Sequence, residues 1–442
     1  MSRDLTSGSI GKNLLVFSIP YLIACFLQAF YGLTDLFIIG QFEGAASTSA
    51  VAIGSQIIHL PTVMIVSLAM GTTVSLGHAV GSHDSSSQKS VIGTTLSLFM
   101  LGSLVLALVL YVLTNPILYL LSTPEEAFGE AADYLHVCFL GIPFIVAYNV
   151  LASIYRGLGD SRTPMVFVAI AGVFNIFLDW LLIGPFGQGA SGAALATVIS
   201  QGVSVILALF WLVRSGTVSL SLSDLKPDGK TARKVFGIGL PISLQDGFIQ
   251  ISFLLITMIV NRRGVVDAAA VGIVEKVISF LFLVPSAMLS SVSAIASQDF
   301  GAGKPRQAEQ TMWTAMAFSF SFGLIVALVG QFCADWVVDL FTHDPLVITH
   351  GAPYLKSYLF DCALASIHFC FSGYFSAAGK SVYAFIHNVT SVLFVRIPGS
   401  WWASVTFKDT LLPLGCFAPL GSLTSSVICL LRFLHLVKKT AR

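Results

Sequence analysis

Apolar runs of roughly 20 or more residues alternate with short polar breaks along the whole chain. At about 1.5 Å rise per residue, a helix of that length matches the hydrocarbon thickness of a bilayer. Twelve runs are read, at 13–39, 50–77, 90–112, 132–156, 164–186, 191–214, 235–261, 268–295, 310–333, 352–376, 382–404 and 410–436. The breaks carry turn and cap residues: "GSHDSSSQKS", "LSTPEE", "RGLGDSRTP", "SDLKPDGKTARK", "GAGKPRQAE" and "THDP". Segments of about ten residues with alternating polarity, as barrel strands require, do not occur. The pattern predicts an all-α membrane protein of twelve transmembrane helices.

The pattern also repeats. Pro20 in "FSIPYL" recurs as Pro241 in "IGLPIS", "AVGSHDSSSQKSV" as "DFGAGKPRQAEQT", and "YRGLGDSRTP" as "FSAAGKSVYA", all at a separation of about 220 residues. Six spans per half is an even number, so both halves start on the same side, as two parallel six-helix repeats. The expected organisation is an N-terminal lobe over 1–214, a basic cytoplasmic linker over 215–234 and a C-terminal lobe over 235–442. Two lobes able to rock against each other point to alternating access.

Composition agrees with a membrane chain. Of 442 residues 55% are hydrophobic and 10% charged, with a mean hydropathy of +0.86. A soluble chain carries about 25% charged residues. The net charge of +1 is too small to call for a nucleic-acid partner. The seven cysteines show neither a CxxC pair nor zinc spacing and read as small core residues. The lead "MSRDLTSGSIGKNLL" reads as short and polar, without the character of a cleavable signal. With the N-terminus in the cytoplasm, only Arg262, Arg263, Lys356 and Lys408 fall outside. The inner segments hold Arg3, Lys12, Arg156, Arg162, Lys226, Lys230, Arg233, Lys234, Lys304, Lys439 and Arg442 among others. The positive-inside bias therefore puts both termini in the cytoplasm.

Polar residues inside the spans carry the candidate chemistry. Asn175 and Asp179 are four apart in span 5 and share a helix face; Gln28, Tyr31 and Asp35 share a face of span 1; Thr197 lies in span 6. A central Asp costs about 2.5–3.5 kcal/mol to insert, a cost tolerated where the side chain faces a cavity or a partner. Two carboxylates, an amide carbonyl and a hydroxyl are hard oxygen donors suited to a small cation such as Na⁺. They suit a proton equally, because adjacent carboxylates repel and one of them gains proton affinity. The competing reading is a hydrogen-bonded network that only packs helices.

Four motifs of the first half, "LTDLFIIG", "YRGLGDSRTP", "FNIFLDWLLI" and "GASGAALATVISQ", and two of the second, "VGIVEKVISFLFLVP" and "SQDFGAGKPRQA", occur in order along the chain. Together they resemble the MATE (multidrug and toxic compound extrusion) transporters, bacterial type, over essentially the whole length. The resemblance implies two six-helix lobes forming a V. It also implies export of organic cations in exchange for Na⁺ or H⁺, with no enzyme activity and no other cofactor. It implies that the coupling cation binds at Asp35, Asn175, Asp179 and Thr197, which would also be the metal ligands if the ion is Na⁺. Gln28 and Tyr31 match further polar residues of that chamber.

In the second half the match departs from the family. One branch has an acidic residue nine positions after the proline; here that position is Gln250, with Asp246 one turn earlier. Glu275 and Lys276 are adjacent in span 8, either facing the cavity, with Lys276 a possible counter-ion. Arg396 precedes Pro398 and either braces a kink or snorkels to an interface. Asp361, near the start of span 10, reads equally as a structural or a cavity residue, and His368 and His387 read as lone histidines. Met64 and Asn149 are weaker candidates for the substrate wall. Part of the 34 Phe residues would line a cavity for flat lipophilic cations.

The expected partners are small cationic molecules and the bilayer, for a monomer in a bacterial inner membrane. A flippase for a lipid-linked precursor is the alternative, though a polyanionic head group calls for more intramembrane cations than Lys276 and Arg396. An intramembrane aspartyl enzyme using Asp35 and Asp179 lacks any accompanying motif.

Overall fold

The computed structural model describes residues 4–216 and 221–440, and its described secondary structure is helical throughout. Arg3, Arg442 and linker residues 217–220 lie outside the described residues, as does the side chain of Lys439. In the first half come α1 (Ile10–Phe42), α2 (Ala45–Gly81), α3 (Ser85–Val112), α4 (Thr114–Leu120), α5 (Glu125–Leu140), α6 (Ile142–Gly157), α7 (Arg162–Ile183) and α8 (Gly189–Arg214). A 3-10 turn, Leu222–Leu225, precedes α9 (Gly229–Asn261). The rest is α10 (Val265–Leu281), α11 (Leu283–Gly301), α12 (Pro305–Asp339), α13 (Pro345–Tyr358), α14 (Phe360–Ala377), α15 (Val382–Ser391), a π-helical turn (Val392–Arg396), α16 (Ile397–Thr406) and α17 (Leu412–Thr440).

Among the described residues nine helical segments are long and apolar enough to cross a membrane, or ten if α5 and α6 form one bent span. The expected twelve differ where helices break. Span 4 is α5 and α6, bent by 47°, with Gly141 at the joint and Pro143 in the first turn of α6. Span 10 is split at Leu359 into α13 and α14. Span 11 is α15, the π turn and α16, with Pro398 one residue into α16. Proline has no N–H to donate and its ring crowds the carbonyl four residues back, and a π turn relieves that crowding. Apolar runs reveal length, whereas these breaks depend on local backbone pairing.

The duplicated turns keep their backbone. His83 (φ 55) and Gly303 (φ 72) are 220 residues apart and both left-handed, as are Gly159 (φ 86) and Gly379 (φ 70). Each left-handed residue ends one helix and frees the chain to start the next. In the first repeat the next helix, α3, is capped by Asp84, whose Oδ1 accepts the N–H groups of Ser86 and Ser87 at 3.0 Å.

The chain forms two compact units, Met1–Leu5 with Val16–Gly239 and Thr6–Leu15 with Leu240–Arg442. These bounds differ from the lobes expected at 214 and 235, for two reasons. Thr6 is tied into the second unit by Lys304, whose Nζ donates to its carbonyl at 2.8 Å. The described part of the linker docks on α3 of the first unit: the Asp228 N–H donates to Thr94 Oγ1 at 3.0 Å, and Ser97 Oγ donates to the Leu225 carbonyl. Gly93 permits the approach, since a Cβ there would lie 1.8 Å from the Asp224 carbonyl oxygen.

In the second unit α12 and α14 meet backbone to backbone. A Cβ on Gly323 would stand 2.6 Å from the Ala363 nitrogen and from the Cys362 carbonyl. Small residues allow such contact where lipid supplies no hydrophobic drive between helices. Gly323→Ala is expected to destabilise the purified protein by about 1–3 kcal/mol, the cost of overpacking. Thermal unfolding in detergent reads this, with Gly102→Ala, where nothing lies within 4 Å, as the control. Equal melting of the two variants would mean that α12 and α14 separate at no cost.

Candidate functional site

Inside the first unit, α1 carries Asp35, α7 carries Asn175 and Asp179, and α8 carries Thr197. The α7–α8 connection is short, with Gly187 (φ 58) and Gly189 (φ 53) supplying left-handed turns, so the two helices pack side by side. Thr197 Oγ1 donates to Asp35 Oδ2 at 3.3 Å. The carboxyl groups of Asp35 and Asp179 are close enough to interact directly. The structure thus brings Asp35, Asp179 and Thr197 together from three helices, with Asn175 one turn from Asp179 on the same helix face.

The site is enclosed. Asp35 is 7% exposed, Asn175 3% and Asp179 0%. Asp35 Oδ1, both Asp179 oxygens and both amide atoms of Asn175 are buried without a hydrogen-bonding partner. Two ionised carboxylates offer each other acceptors alone, so their contact is favourable only with a proton or cation between them. No basic side chain forms an ion pair with either carboxyl among the described residues. Groups of three or more His, Cys, Asp or Glu fit to hold a metal are likewise absent among the described residues. The donor set here is two carboxyls, an amide and a hydroxyl, which suits a hard monovalent cation or a proton.

The remaining candidates fall elsewhere. The Tyr31 hydroxyl donates to the Val168 carbonyl, so it ties α1 to α7. Gln28 is exposed and Met64 half-buried. Asn149 is 7% exposed, and its Nδ2 donates to Ile145 O of its own helix at 2.8 Å. Asp246, Gln250 and Glu275 belong to the second unit; the first two are half-buried on α9. Sequence reasoning missed Tyr134 and Cys138 of α5, one turn apart and close enough to Asp35 to feel its charge. In an apolar run they carry no signal beyond that of core residues.

The second unit holds a different polar cluster. Glu275 Oε2 accepts from Thr257 Oγ1 at 3.5 Å. Arg396 does not snorkel: its Nε is enclosed, its Nη2 donates to the Tyr358 hydroxyl, and its guanidinium lies 4.8 Å from the Phe253 ring centre. Glu275 and Asp361 are its charged neighbours. Neither Lys276, which is exposed, nor Arg396 forms an ion pair with Glu275 among the described residues; both charges are felt by it. His368 and His387 are not lone residues. Their rings are 5.5 Å apart, and His387 Nε2 is 2.8 Å from Ser372 Oγ.

A family model described as MatE matches residues 20–181 and again 241–402, one match in each repeat. The chain is 29% identical over 395 residues to the probable multidrug resistance protein YpnP of Bacillus subtilis (strain 168), covering 89% of this chain and 88% of that one. It is 25% identical over 377 residues to the multidrug export protein MepA of Staphylococcus saprophyticus subsp. saprophyticus, with 84% and 83% covered. The crystal structure of a MATE protein in complex with MaL6 superposes with a TM-score of 0.92 at 20% identity, over 98% of this chain and 99% of that one. That structure bears on the fold, whereas the doubled match to the family model covers most of the sequence. The chain belongs to the MatE family of multidrug efflux membrane transporters.

Proposed function

We propose that this protein is a secondary active antiporter that exports lipophilic organic cations in exchange for Na⁺ or H⁺. The observation that carries the reading is the group of five buried, unpaired polar atoms on Asp35, Asn175 and Asp179, beside the Thr197 hydroxyl. A carboxyl pair in that setting gains most from whichever cation reaches it. The coupling ion enters from outside and neutralises Asp35 and Asp179. That changes the packing of α1, α7 and α8 and lowers affinity for the cationic drug, which leaves. The alternating-access change then releases the ion inside. Such a cycle pumps because ion and drug have different affinities for the two states. The names of YpnP and MepA support export of drugs as the task. The positive-inside bias supports cytoplasmic termini in a bacterial inner membrane, and the chain is read as a monomer.

The test is efflux of an ethidium-like cation from proteoliposomes under imposed Na⁺ or pH gradients. Asp35→Asn and Asp179→Asn are each expected to lower gradient-driven efflux at least about tenfold, within the usual range of coupling energies, while the protein still folds. Wild-type rates in either variant would refute the coupling role. Gln250→Ala is expected to stay within about twofold of wild type, the effect of a half-exposed polar group outside the site. Complete loss in that variant would move the ion site to the second unit.

A Na⁺-coupled protein should also melt at higher temperature in sodium gluconate than in choline gluconate, because a ligand bound to the native state alone stabilises it. Equal melting in the two salts points to H⁺.

A further inference from the structure

A second buried charge in the first unit takes no part in that cycle. Arg156, in the last turn of α6, is 6% exposed. Its Nη2 donates to Ser153 Oγ at 2.7 Å, and its guanidinium lies 5.2 Å from the centre of the Tyr21 ring. Its Nε is buried without a partner. None of the ion pairs among the described residues involves Arg156. The nearby Asp160 carboxyl is engaged by its own turn, accepting from the Arg162 and Thr163 N–H groups and the Thr163 hydroxyl. Arginine carries a positive charge on a planar guanidinium with five N–H donors. A lone buried charge is costly unless a counter-charge joins it.

Arg156 lines a cavity of ≈ 30 Å³ together with Tyr21, Cys25, Gln28, Asn149 and Ser161. No carboxylate is among the lining residues. Asn149 already donates one N–H to Ile145 O; its second N–H, the Gln28 amide and the Ser161 hydroxyl are groups that can donate there. One water occupies about 10–15 Å³ on this measure. The cavity therefore admits a monatomic anion or a pair of waters, and is too small for a phosphate or a drug. We propose that it is a halide site, in which chloride sits against the Arg156 guanidinium. There the anion neutralises the buried cation and, through donors on α1 and α6, holds those helices together. The site is distinct from the carboxyl pair and takes a ligand of opposite charge.

Thermal unfolding of the full-length protein in detergent tests this at constant Na⁺, with chloride exchanged for gluconate. Chloride is expected to raise the wild-type melting temperature by about 2–4 °C, the shift of a modest ligand on a domain of this size. The rise is expected to vanish in Arg156→Met and to shrink in Ser161→Ala. Bromide anomalous density in crystals of the wild type gives a second reading should Arg156→Met fail to fold; a peak beside Arg156 is expected. Equal melting in chloride and gluconate, an undiminished rise in Arg156→Met, or a bromide-soaked cavity that holds water only would each overturn the proposal. Because the sodium concentration is fixed and no transport is measured, failure here is separable from failure of the antiport reading.

Discussion

Hydrocarbon does not solvate charge, so an ionised side chain inside a membrane bundle has to be neutralised by something the protein itself holds or admits. The polar interior of this chain follows from that constraint. In the first unit it appears with both signs. Among the described residues neither Asp35 nor Asp179 forms an ion pair with a basic residue, and Arg156 forms none with a carboxylate. In the second unit both signs occur in one cluster: Arg396 feels the charges of Glu275 and Asp361 without a direct ion pair among the described residues, and its guanidinium covers an aromatic face. A cluster that carries its own counter-charge has less need of an entering ion, whereas one of like charges depends on it. The contrast supports locating ion coupling in the amino-terminal half.

The scaffold that holds these groups obeys a second rule of the bilayer, that backbone polar groups pair within their own helices. Departures from straight helices are accordingly confined to a few joints, such as Gly141 between α5 and α6 or the π turn before Pro398. Glycine allows α12 and α14 to touch through their backbones. In the first unit Gly172 of α7, one turn before Asn175, likewise lets the Tyr31 ring of α1 lie against the helix.

The duplication preserved turns more faithfully than chemistry. Left-handed residues recur at positions 220 residues apart, and the family match recurs in both halves. Yet at that spacing Asp35 maps onto Leu255 or Ile256, and Asp179 onto Gly399 or Ser400. Turn geometry is needed by any copy of the fold, so it persists. A buried carboxylate is tolerated where function offsets its insertion cost, and the matching positions of the second half carry none.

The sequence alone determined the helical membrane class, the two repeats and the face-sharing of Asn175 with Asp179, because apolar run length and helical periodicity are local properties. It also singled out Asp35 and Thr197 as polar residues needing an interior partner. The partner itself, Thr197 Oγ1 against Asp35 Oδ2, joins residues 162 positions apart, and no local pattern encodes such a meeting. The same holds for the His368–His387 ring pair, the Arg396–Tyr358 contact and the cavity beside Arg156. Breaks within apolar runs, at Leu359 and at the π turn, were equally invisible to hydropathy. Which charges end up paired and which are left alone is decided by helix packing, since that is the step at which distant side chains first share one dehydrated space.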